Sequence, residues 1–268
     1  MAFPEVPRAR YEINLLDEVV CKLKFPPILR IESQIPDAFQ ERVRADFPLF
    51  ETVEATPSAN LPPDLARLIS RAGARGPQVD HVFTSSDDGV WQVRLGRSHL
   101  SLTSFDYVQW ELFRQRLVVP YQALLEEYKP APFNHVCLRY RNVIRRSRLP
   151  FEPDIPWPEL LQPWVCGFLA APGLHGEVEM ARMSAATRLP HPDTWLDVEY
   201  GLIEVADGET SFLIDAHLFT DAPAEPANAF NRLDDLHHQA SNFFRWCITD
   251  RLHEALGPRP VALAIPGG

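Results

Sequence analysis

Two groups of side chains in this sequence have the types and spacing that chemistry requires. The first lies in the run HVCLRYRNVIRR, His135 to Arg146, with Arg139, Arg141, Arg145, Arg146 and, just beyond, Arg148. A guanidinium is a planar fork of donors suited to phosphate or carboxylate. Two-residue alternation along a strand would set His135, Cys137, Arg139 and Arg141 on one face and Val136, Leu138, Tyr140 and Asn142 on the other. The competing reading is that these arginines pair with the acidic residues of an anionic protein. The second group is Asp215, His217, Asp234, Asp235, His237 and His238. Asp215 and His217 share one face of a strand, and Asp234 and His238 stand four apart on a helix. Carboxylates beside imidazoles bind metals or share protons, but no HExxH or other recognised ligand spacing is present. A helix cap and a hydrogen-bonded histidine would account for the same residues. His175, between Gly173 and Gly176, has room to approach a ligand but also reads as plain loop. The ligand-binding set drawn from both groups is Arg139, Arg141, Arg145, Asp215, His217 and His238. No phosphate loop or nucleophile elbow occurs, so no catalytic residue and no cofactor is assigned.

Composition narrows the classes. The chain has 268 residues, 46 % of them hydrophobic, enough for a substantial core. Its formal net charge of −10 disfavours broad nucleic-acid or membrane-surface binding. No apolar run approaches the roughly 18 residues of a membrane span, and the N-terminal stretch lacks a signal-peptide core, so a cytoplasmic protein is expected. Cys21, Cys137, Cys166 and Cys247 are far apart with no CxxC pair. Reduced core thiols are the expectation, with neither a disulfide framework nor a metal site.

These side chains need elements to hold them. Strands are expected at Val19–Phe25, Leu49–Val53, Val82–Ser86, Val90–Leu95, Leu100–Phe105, His135–Arg146, Gly176–Arg188, Trp195–Val205 and Ser211–Thr220. Asp-Asp-Gly, Gly-Arg-Ser and Ala-Asp-Gly supply turns between them. Asp37–Phe47 has a helical stripe at Phe39, Val43 and Phe47, with Asp37 as N-cap. Trp110–Tyr128 reads as a helix that Pro120 should kink or split. Glu159–Ala170 reads as a short apolar helix, and Asn231–Leu256 as one long amphipathic helix. Residues 56–78 read as an irregular insertion. The tail after Gly257 should pack back as an edge strand or dock on another chain.

The order strand, helix, three strands, helix therefore occurs twice, over residues 1–134 and 135–268. The fold class expected is α+β: two such units joined edge to edge into one curved antiparallel sheet covered by helices, an element order like that of the TATA-box-binding protein. The stretches EVVCKLKFPP, HLSLTSFDYVQWELFRQRL, LRYRNVI and LDDLHHQASNFFRWCITDRLHEALG resemble a sporadically distributed bacterial family of uncharacterised proteins of about this length. That resemblance implies no reaction and no catalytic residues, and its patchy distribution suggests a defence- or toxin-linked setting. The functional expectation is a non-enzymatic protein that binds another protein. The alternative is a sensor or enzyme for a small anionic ligand or nucleotide, using Arg139 and Arg141 with Asp215 and His217. Convergence of these side chains in one pocket would favour the alternative.

Overall fold

The computed structural model describes residues 3–54, 79–87, 89–171, 173, 178–190 and 193–261. The expected insertion and His175 lie outside them. The chain begins with strands β1 (Ala9–Tyr11) and β2 (Leu16–Lys24), then short helices α1 (Leu29–Ser33) and α2 (Asp37–Val43). Strands β3 (Leu49–Glu54), β4 (Val79–Thr84), β5 (Trp91–Gly96) and β6 (His99–Ser104) follow, and helix α3 (Trp110–Tyr128) closes the first half. The second half opens with β7 (His135–Ile144), passes through α4 (Trp157–Leu160) and α5 (Pro163–Cys166), and continues with β8 (Arg182–Arg188), β9 (Thr194–Glu204) and β10 (Thr210–Thr220). Helices α6 (Ala229–Cys247) and α7 (Asp250–Ala255) precede the last strand, β11 (Pro258–Pro260).

Nine strands form one antiparallel sheet in the order β3-β4-β5-β6-β2-β7-β10-β9-β8. The fold is therefore α+β, with one large antiparallel sheet under helices, as the element order implies. The opening strands of the halves, β2 and β7, pair with each other at the centre. From β2 the sheet runs outward through β6, β5 and β4, and from β7 through β10, β9 and β8, so one topology occurs twice about the joint. The first half adds β3 at its edge. Alternation sets the faces. Val19, Cys21 and Leu23 of β2 and Val136, Leu138 and Tyr140 of β7 are buried beneath the helices. Helix α3 packs over β6, and α6 over β7 and β10.

Four helical expectations change in detail. Helix α2 ends at Val43 rather than Phe47, and Asp37 is its first residue rather than its cap, the N-cap position being Pro36 with no side-chain cap bond. Helix α3 is continuous through Pro120, whose buried ring occupies the core in place of the lost hydrogen bond. The segment expected as Glu159–Ala170 is α4, α5 and a single 3-10 turn. The expected long C-terminal helix stops at Cys247, because the chain there is bonded sideways. Ile248 bridges Leu161, and Gln162 N–H donates to Cys247 C=O at 2.9 Å. Thr249 then caps α7 by accepting from Leu252 N–H, while its hydroxyl donates to Glu159 C=O at 2.8 Å. The described part of the tail folds back: β11 pairs with β1 in a separate two-stranded ribbon. Two prolines suit such an edge strand, which lacks a second neighbour.

Candidate functional site

Because successive residues of a strand point to opposite faces, β7 and β10 divide their chemistry between two sides of the sheet. On the helix-covered side Tyr140, Asn142, Ile214 and Ala216 floor a cavity of about 470 Å³. Helix α6 supplies one wall through His237, Ala240 and Phe244. The segment leading into α3 supplies another through Tyr107 and Trp110, and the N-terminal segment with the β1–β11 ribbon closes a third side. The lining is mainly apolar.

A polar chain crosses it. The Tyr107 and Tyr140 rings meet edge-on with centroids 6.0 Å apart, and the Tyr140 hydroxyl lies 2.8 Å from His237 Nδ1. The His237 ring stacks on Trp110 with centroids 4.8 Å apart, and Trp110 Nε1–H donates to Asp234 at 2.7 Å. His237 Nε2 is buried without a hydrogen-bond partner among the described residues. Either tautomer leaves this atom unsatisfied, as a donor in one and an acceptor in the other. Burial, with the charges of Arg8 and His238 adding, pushes the imidazole pKa down to about 3. Burial likewise raises the Tyr107 and Tyr140 hydroxyls, so both stay protonated. At the cavity wall Arg10 is exposed and has no ion-pair partner among the described residues.

The opposite side of the sheet holds most of the residues singled out from sequence. Arg139 grips the buried Asp215 carboxylate with both arms of its fork, Nε at 2.7 Å, and reaches Glu18 at 3.5 Å. Arg141 lies 3.3 Å from Asp17 and 3.8 Å from Asp215. Arg145 is held by Asp207 and, at 2.9 Å, by Glu209. These guanidiniums are therefore individually paired. His238 lies apart on α6, 3.2 Å from Glu5. His217 stacks on Phe219 with centroids 5.0 Å apart, and burial first, then the neighbouring His135 and Arg139, push its pKa down to about 4. Trp246 is half-buried and stacked on Trp164.

Two groupings escaped the sequence. The cavity takes Tyr140 and Asn142 from the apolar side of the strand chosen for its arginines, and His237 rather than its neighbour His238. The signal was available as polar residues at core-facing positions of β7. The other grouping is His135, Cys137 and His217, whose ligand atoms all lie within 4.8 Å of one another. His135 and Cys137 share a strand face, and β10 brings His217 beside them. The wide spacing of the cysteines had argued against any such cluster, yet a single cysteine suffices when histidines come from adjacent strands. Neither a comparison with protein-family models nor one with curated proteins returns a match to this chain.

Proposed function

We propose that this protein is a binding protein for a small, mostly apolar molecule carrying an acidic or other hydrogen-bonding group. The observation that carries this reading is the largely apolar cavity beneath α6, with Tyr140, Asn142 and His237 among its lining residues. A largely apolar cavity of this size with a few convergent polar groups is the usual form of a small-molecule site. Arg10 at its edge suits an acidic substituent. The set Arg139, Arg141 and Asp215 supports this function less well, because its charges already neutralise one another.

The probe is 1-anilinonaphthalene-8-sulfonate, an aromatic molecule with one acidic group. Titration should give saturable fluorescence with one site per chain. Ala240→Phe, which fills the cavity from α6, should weaken that binding by about tenfold or more, each tenfold being about 1.4 kcal/mol. Equal affinity in a folded Ala240→Phe protein would remove the cavity as the site.

A further inference from the structure

The cavity leaves unused the cluster on the other side of the sheet. His135 opens β7, and Cys137, two residues on, points to the same side. The register pairs His217 with Arg139 and Phe219 with Cys137, which places His217 diagonally across from the thiol. His135 and His217 have ring centroids 6.0 Å apart, and Phe219 packs against both, at 5.1 and 5.0 Å. One nitrogen of His135 is already committed: Nδ1 lies 2.6 Å from the Asp221 carboxylate. With the proton on Nδ1, the Nε2 lone pair is left free, the arrangement in which a carboxylate orients a metal-binding imidazole. Asp197 pairs across the ladder with His217, and the Asp221 charge acts on it, so two carboxylates flank the cluster.

We propose that His135, Cys137 and His217 form a binding site for a divalent metal ion of zinc type. Two imidazoles and a thiolate are a donor set zinc favours, and three protein ligands leave a fourth tetrahedral position open. Binding forms two metal–nitrogen bonds and one metal–sulfur bond, and the Cys137 thiol proton passes to solvent. Asp221 and Asp197 supply negative charge towards the ion. Lys22 and Lys24 on β2 and Arg139 on β7 also face this region. They oppose the bare cation and favour an anion in the open position. The site is separated from the cavity by the thickness of the sheet, so it stands whether or not the cavity binds a ligand.

The test uses the full chain, stripped with chelator and then freed of it, titrated with Co2+ and then Zn2+. Bound Co2+ should give thiolate-to-cobalt charge-transfer absorption at one ion per chain, and Zn2+ should abolish it. Cys137→Ser should lose that band. His217→Gln, at a half-exposed position, should weaken Co2+ binding by about tenfold or more, whereas His238→Gln should not. Circular dichroism establishes that each variant is folded. The proposal is overturned if the wild type shows no charge-transfer band, if the band survives Cys137→Ser, or if His217→Gln binds Co2+ like His238→Gln.

Discussion

At the scale of single residues, the most informative group is His237. Its folded imidazole stays neutral down to about pH 3 because it is buried, whereas an unfolded histidine takes up a proton near pH 6.5. Between these values the unfolded chain binds a proton that the folded chain refuses. Stability is therefore complete above the unfolded value and declines as pH falls, by about 1.4 kcal/mol per unit from this residue once the unfolded imidazole is charged. Chemical denaturation from pH 6.5 to 4 should show that decline, and His237→Gln should flatten it by about one proton. An unchanged slope would mean that the folded protein protonates the imidazole. The residues singled out from sequence lie on β7, β10 and α6, mostly on the side of the sheet away from the cavity. Asn142 and Arg141 are adjacent in sequence and on opposite sides of the sheet. Choosing residues by charge selected the side where the charges are already paired.

At the scale of elements, α6 is the main support of both core and cavity. Phe243 is 5 % exposed and meets Phe3 edge-on, with centroids 5.2 Å apart. Replacing it with alanine should cost about 3–5 kcal/mol in urea unfolding. Phe244, half-buried at the cavity wall, should cost clearly less, and equal losses would show that the two rings share the core evenly. The nine strands of the main sheet and the starts of α2 and α3 were legible because alternation and helical stripes are local, whereas α1 and the short β1 carry no such pattern. The end of α6 was not legible either. Apolar periodicity continues through Ile248 and Leu252, but the bonds that break the helix come from Glu159 to Gln162, far away in sequence. The cavity was hidden for the same reason. Its third wall joins residues near position 8 to residues near position 260, and no window of sequence contains both.

At the scale of the whole molecule, the repeated topology was legible in element order even though the two halves show no residue-level likeness. Its meeting point was not, since nothing local says that β2 pairs with β7 rather than presenting an edge. That joint aligns Val20 with Arg139 and Cys21 with Leu138 in the middle of a nine-stranded sheet. Residues 1–134 produced alone should therefore associate or aggregate, as light scattering would show. A stable monomer would mean that the half protects its own edge.

The same joint has a consequence for assembly. Each half contributes its first sheet strand in the antiparallel sense, so β2 of one copy, once parted from its own β7, is geometrically able to accept the β7 of a second. A transiently opened chain would carry two such complementary seams. Exchange of halves between neighbours would recreate every native pairing, giving domain-swapped dimers at high concentration without a single new kind of contact.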